Sequence, residues 1–231
     1  MAKITPISLE RKKELAQPDE FISLSSRMIQ HVVENKEKVA GGVAAFLFLC
    51  LVVIGYQYVS KRSELNASNL LGRETIRYKD ALASKSPVEA LQTVKAQFDA
   101  LIDKHDGTVA GNIAHIRMGD MLFEAGDYDQ AIQHYQVALT SFGKDPELKD
   151  MVLSSLGYAH EAKGDWSKAV EYFQTVSENK EGSMQDEALF HLGVLYAEMG
   201  EKEKSRKAYQ EIIDNHPDSL YLPIAKAFSL S

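Results

Sequence analysis

Cysteine is almost absent from this 231-residue chain, whose single thiol is Cys50. One cysteine excludes an intrachain disulfide and any metal site built from paired thiolates. Tryptophan is as scarce, with Trp166 alone, and the 6 Pro and 14 Gly are too few for a collagen-like or Pro/Gly-rich disordered chain. Positive charge is the minority sign, 26 Lys+Arg against 33 Asp+Glu for a formal net charge of −7. That balance argues against a nucleic-acid binder. Motifs that carry chemistry are also missing: there is no phosphate-cradling Gly-rich loop, no pair of His flanking a Glu base on one helical face, and no Ser in a nucleophile elbow. The seven histidines, at positions 31, 105, 115, 134, 160, 191 and 216, are scattered and read as packing or capping residues rather than ligands. No residue is therefore assigned a catalytic, cofactor-binding or metal-binding role, and no small-molecule substrate is expected. Asn66-Ala67-Ser68 has the form of a glycosylation acceptor, but matches this short arise by chance.

Charge is missing altogether from Val39 to Ser60, a run of 22 residues. At about 1.5 Å per residue such a run spans about 33 Å, against a hydrocarbon core of about 30 Å. A soluble core helix of that length would keep a polar stripe, and Phe46-Leu47-Phe48-Leu49-Cys50-Leu51-Val52-Val53-Ile54 has none. Residues 39–60 are therefore expected to form a single transmembrane helix. The 38 residues before it are too long for a secretory n-region, and the exit Tyr56-Gln57-Tyr58-Val59-Ser60-Lys61-Arg62 offers no small-x-small cleavage site, so the reading is an uncleaved signal anchor. Cys50, preceded by Phe48-Leu49, does not match a lipidation site and reads as a small hydrophobe. Charge near the span leaves orientation open: Arg27, Lys36 and Lys38 stand on one side, and Lys61, Arg62, Arg73, Arg77 and Lys79 on the other.

Residues 1–18 show no sustained period and read as a mobile tail. Within 19–38, Phe21, Leu24, Met28 and Val32 recur at helical spacing, predicting an amphipathic juxtamembrane helix that leads into the span. Beyond Lys61-Arg62 no stretch alternates with period two, and the chain reads as all-α. Residues 61–107 are expected to be a helical linker or a degenerate repeat pair, with Leu71-Gly72 echoing the motif that follows. There Ser86-Pro87-Val88-Glu89 supplies a capping box with Pro at the first helical position.

An internal repeat fills residues 108–219. Gly119, Gly157 and Gly193 lie 38 and 36 residues apart, and each is followed seven residues later by a second glycine, Gly126, Gly164 and Gly200. The first helix of each unit carries Met118-Gly119, Leu156-Gly157 or Leu192-Gly193. The second carries Ala131 with Tyr135, Ala169 with Phe173, or Ser205 with Tyr209. These are the L-G and A-x-x-x-F positions of a tetratricopeptide (TPR) pattern, so three units are expected at about 112–149, 150–185 and 186–219. Small residues let two antiparallel helices approach, and the aromatic covers the crossing. Gly126 and Gly164 should end first helices in the left-handed conformation, with Asp127 and Asp165 capping the helices that follow. Residues 220–231 resemble the solvating helix that closes such arrays, with Leu222, Ala225 and Phe228 inward. The fold class is thus an N-terminal transmembrane helix followed by an α-solenoid of TPR helix pairs.

Resemblance to TPR proteins places a protein-binding groove along the first helices. Counting from Asn112, Asp150 and Asp186, its candidate residues are Ile113, Ile116, Asp120, Phe123 and Glu124, then Met151, Tyr158 and Glu161, then Phe190, Val194 and Glu198. The groove reads as apolar with an acidic border, suited to basic, apolar segments of a protein partner. The basic clamp that chaperone-binding TPR domains use for a C-terminal carboxylate is missing at these positions.

The run Phe21 to Leu82 joins an amphipathic lead-in, a Gly-bearing anchor, a Tyr-rich exit and a helix with Tyr78-Lys79-Asp80-Ala81-Leu82. In that order it resembles the YfgM-type ancillary subunits of the bacterial Sec translocon. The resemblance implies a non-enzymatic inner-membrane protein, N-terminus cytoplasmic and TPR domain periplasmic. Its implied partners are translocon subunits, a periplasmic chaperone and emerging polypeptides. A scaffold for another envelope assembly, such as secretion, pilus or cytochrome biogenesis, is the alternative.

Overall fold

The computed structural model describes residues 20–143 and 145–229. The expected tail, 1–18, lies outside the described residues, as do Ser231 and the residue before it at the C-terminus. Ten helices and no strand occur among the described residues: α1 (Glu20–Glu34), α2 (Lys36–Leu82), α3 (Pro87–Lys104), α4 (Val109–Glu124), α5 (Tyr128–Phe142), α6 (Pro146–Lys163), α7 (Trp166–Ser177), α8 (Gln185–Glu198), α9 (Lys202–Asn215) and α10 (Leu222–Ser229). The chain divides into two compact units between Val59 and Ser60.

The first unit holds α1 and the start of α2. Asn35 is the single turn residue between α1 and α2, and its side-chain amide donates to the His31 carbonyl at 3.2 Å. The backbone ladder carries through it, with Asn35 N–H donating to the His31 carbonyl at 3.0 Å and Val39 N–H to the Asn35 carbonyl at 2.9 Å. Helix α2 then continues without a break from the uncharged run to Leu82, because Lys61-Arg62-Ser63-Glu64 contains neither Gly nor Pro to stop it. It is the one helix among the described residues long and apolar enough to cross a membrane. Phe46, Phe48, Leu51 and Ile54 along it are exposed.

In the second unit each helix packs on the next, most closely α4 on α5, α6 on α7, α8 on α9, and α10 on α9. The three glycines of the repeat explain the pairing. A Cβ built on Gly119 would lie 2.5 Å from the Tyr135 ring, on Gly157 2.7 Å from Phe173, and on Gly193 2.5 Å from Tyr209. The aromatic of the second helix therefore rests directly on the glycine of the first. Ala131 and Ala169 are fully buried beside it, and Ser205 at the same position donates to the Gly193 carbonyl at 2.7 Å. Gly126 and Gly164 take φ of +81° and +83°, the left-handed turn that leads into the second helix.

Two buried clusters form the core of this unit. The first runs from Tyr78 through Phe98, Met118, Leu122 and Tyr135 to Leu156. The second centres on Phe173, Leu192, Leu195, Tyr209 and Ile212. Leu139 and Tyr172 pack against both.

Local details depart from the sequence reading in three places. Gly72 does not play the part of the repeat glycines, since a Cβ there would meet nothing within 4 Å. The C-terminal part of α2 is tied to its neighbours by side chains instead. Glu64 accepts the Val109 and Ala110 backbone N–H groups at 2.8 and 2.9 Å, a carboxylate placed at the positive N-terminus of α4. Asp127 accepts from Gln130 N–H as a cap, whereas Asp165 makes no side-chain cap bond and instead meets Lys168 Nζ at 3.5 Å and His160 Nδ1 at 3.4 Å. Of the inward trio on the closing helix only Ala225 is fully buried, while Phe228 is 54% exposed with one face stacked on Tyr209. The capping box at Ser86 and Glu89 forms in full.

Candidate protein-binding groove

Helices α4, α6 and α8 carry all eleven groove residues read from the sequence. Their environments differ more than the pattern suggested. Ile116 is buried in the first core cluster, and Ile113, Phe123 and Met151 pack against that cluster half-buried. Val194 is half-buried, and Glu198 is exposed. Ile116 is thus a core residue: its position on α4 turns it towards the packed side.

The polar members are brought together in two clusters. In the first, Tyr78 of α2 donates to Glu124 Oε2 at 2.6 Å and Tyr135 of α5 donates to Asp120 Oδ1 at 2.9 Å, while Arg117 reaches Asp120 Oδ2 at 3.3 Å. Burial pushes the Asp120 carboxyl above its ordinary range, opposed by the Tyr135 bond and Arg117. In the second, Tyr158 donates to Glu187 on α8, and His191 Nδ1 lies 3.2 Å from Glu161 Oε2. The Tyr158 ring meets His191 edge-on at 4.8 Å and Phe173 at 5.2 Å. Phe190 stacks on Tyr221, just before α10, at 4.6 Å.

These bonds decide the electrostatics. Burial, reinforced by the adjoining carboxylate, pushes the hydroxyls of Tyr78, Tyr135 and Tyr158 well above the ordinary tyrosine range. The tyrosines stay neutral, so they orient the carboxylates without cancelling their charge. Among the described residues, Arg117 is the Lys/Arg side chain paired with a groove carboxylate, and the acidic side chains of the face outnumber it.

Sequence reading missed Tyr78 and Tyr221 as members of this face. Tyr78 and Tyr221 lie outside the three repeats, where the repeat register gives no position to count from. Glu187 stood at a groove position, but nothing in spacing shows that a tyrosine of the preceding unit reaches it. An open cleft of about 840 Å3 between α7, α8 and α9, bordered by Gln174, Tyr196, Lys204, Lys207 and His216, involves none of the eleven residues.

Residues 30–224 match the family described as tetratricopeptide repeat-like domain. The chain belongs to that family. Over 87 residues it is 32% identical to the photosystem I assembly protein Ycf3 of Rippkaea orientalis (strain PCC 8801 / RF-1), a stretch that is 37% of this chain and 48% of that protein. The match thus spans about half the length of that relative. A tetratricopeptide repeat protein from Parabacteroides merdae ATCC 43184 superposes with a TM-score of 0.54 at 16% identity, covering 70% of this chain and 59% of the other. The likeness to that structure is one of fold. The all-helical TPR-like solenoid and a protein-interaction role follow from the family membership.

Proposed function

We propose that this chain is a membrane-anchored, non-enzymatic scaffold whose first-helix face receives a basic, apolar segment of a protein partner. The observation that carries the reading is the pair of tyrosine–carboxylate clusters, Tyr78–Glu124 with Tyr135–Asp120, and Tyr158–Glu187 with Glu161. Neutral tyrosines hold negative charge beside half-buried apolar side chains, a surface complementary to Lys/Arg-bearing segments. The uncharged run Val39–Ser60 serves as the anchor, and anchoring raises the effective concentration of the face near whatever emerges at the same membrane.

The order of lead-in, span, linker and repeats supports an ancillary subunit of the bacterial Sec translocon, with the repeats on the periplasmic side, meeting translocon subunits, a periplasmic chaperone and emerging chains. A second reading, assistance to another membrane assembly, is favoured by the identity shared with an assembly protein. A photo-crosslinking residue at Val194 or Glu198 of the membrane-embedded chain separates them. Adducts with translocon subunits or nascent secreted chains support the first reading, and adducts with subunits of another complex support the second. Adducts that form equally well from Trp166, on a second helix, would discard the groove.

A further inference from the structure

Among the described residues, nothing covers the apolar face of helix α1. Met28, Ile29, Val32 and Val33 are 46–68% exposed, and at spacings of one, three and four residues they form one continuous strip. Arg27, Gln30, His31 and Glu34 share the opposite face, where Gln30 Nε2 donates to Glu34 Oε1 at 3.1 Å. The two formal charges of that face, Arg27 and Glu34, cancel.

We propose that this strip is a lipid-binding surface, and that α1 lies at the membrane interface with Met28, Ile29, Val32 and Val33 among the acyl chains. The inference rests on the reading of Val39–Ser60 as a membrane span. Continuity with that run selects lipid as the occupant. Glu34, the last residue of α1, stands five residues before Val39, about 7.5 Å along a helix, and the headgroup layer is about 5–8 Å deep on each side of the hydrocarbon core. Residues at the C-terminal end of α1 therefore start at headgroup depth, and any other partner would have to displace the lipid already there. In this placement α1 turns onto the interface at Asn35, the single turn residue between the two helices. With a charge-balanced polar face, attachment comes from apolar burial and needs no anionic lipid.

The test uses the full chain in phosphatidylcholine vesicles, in a Cys50→Ser background, with single fluorophores attached through Met28→Cys, Ile29→Cys, Gln30→Cys, Val32→Cys or Phe48→Cys. Brominated acyl chains should quench the labels at positions 28, 29, 32 and 48, and aqueous iodide should quench position 30 several-fold more strongly than its neighbours. Adding phosphatidylglycerol should leave this pattern in place. Equal iodide quenching at 28, 29, 30 and 32 would overturn the proposal, as would shielding from iodide without quenching by bromolipid, which would mean a protein cover. Position 48 separates the two failures: if bromolipid does not quench it, the span reading itself has failed.

Discussion

The ring of Phe173 occupies the space a side chain at Gly157 would need, its Cζ 2.7 Å from where a Cβ would stand. Neither partner has slack, since Phe173 is fully buried. Gly157→Ala should therefore destabilise a fragment of residues 60–231 by about 1–3 kcal/mol. Gly72→Ala, on an exposed helical position with open space around it, should instead stabilise by about 0.5–1 kcal/mol. Urea unfolding of both variants checks the contrast, and equal effects would mean that the glycine–aromatic contact does not hold the pair together.

That contact also marks what the sequence could reveal. Gly119, Gly157 and Gly193 with their aromatics were legible because a repeat states the same physical requirement three times. Groove positions were legible as positions, but not as environments. Whether Ile116 or Tyr158 faces solvent depends on neighbours from other units, and the bond from Tyr158 to Glu187 joins residues whose proximity no local pattern encodes. Tyr78 and Tyr221 were invisible for the same reason, since they reach the face from segments outside the register.

Ser205 stands where the other two units have alanine, and its hydroxyl spends its bond on the Gly193 carbonyl. Ser205→Ala restores the residue that packs in the other two crossings, and the carbonyl keeps its place in the α8 ladder. The change should shift stability by no more than about 1 kcal/mol. Ala169→Leu, by contrast, adds bulk to a fully buried crossing and should cost about 1–3 kcal/mol or more. A fragment carrying Ala169→Leu that melts at the parent temperature would refute the assigned register.

Acid should weaken the first repeat through His115 and His134, whose Nδ1 atoms lie 3.0 Å apart between α4 and α5. Burial, then the neighbouring His115 and Lys95, hold the His134 imidazole down to about 4, with Asp99 opposing, and burial also lowers His115 against the pull of Asp106. In the unfolded chain both would protonate near the ordinary 6.5. The folded state therefore binds fewer protons between those values, and stability present at neutral pH is lost as pH falls from about 6.5 towards 4. Because His134 is partly open to solvent, the loss is on the order of 1–2 kcal/mol. His134→Gln should flatten the dependence of the unfolding midpoint between pH 7 and 5, and an unchanged slope would assign the acid sensitivity elsewhere.

Substitutions on the groove face should divide into two kinds. Tyr158 and Phe190 pack against Phe173, His191 and Tyr221, so replacing both with alanine should lower stability as well as partner capture. Glu198→Lys changes an exposed side chain and should weaken capture of a basic, apolar segment while leaving the melting temperature alone. Capture should also fall as salt rises. Salt-insensitive capture, or capture untouched by Glu198→Lys, would move the interaction to another surface.

Orientation is the last expectation, and local charge does not favour it, because more Lys and Arg follow the uncharged run than precede it. Long domains cross membranes largely regardless of such counts, and the proposed translocon role would require the repeats to lie outside the cytoplasm. Cys50 is the only thiol of the chain, so a Cys50→Ser background is silent to thiol reagents. Ser8→Cys reports on the tail, which lies outside the described residues, and Ser167→Cys reports on an exposed site in α7. In intact cells, treated with a thiol reagent that does not cross the inner membrane, Ser167→Cys should be labelled once the outer envelope admits the reagent. Ser8→Cys should be labelled only after lysis. The reverse pattern would put the groove face in the cytoplasm, where it would meet neither emerging secreted chains nor a periplasmic chaperone. A cytoplasmic, membrane-tethered scaffold would then be the account that fits both the anchor and the repeats.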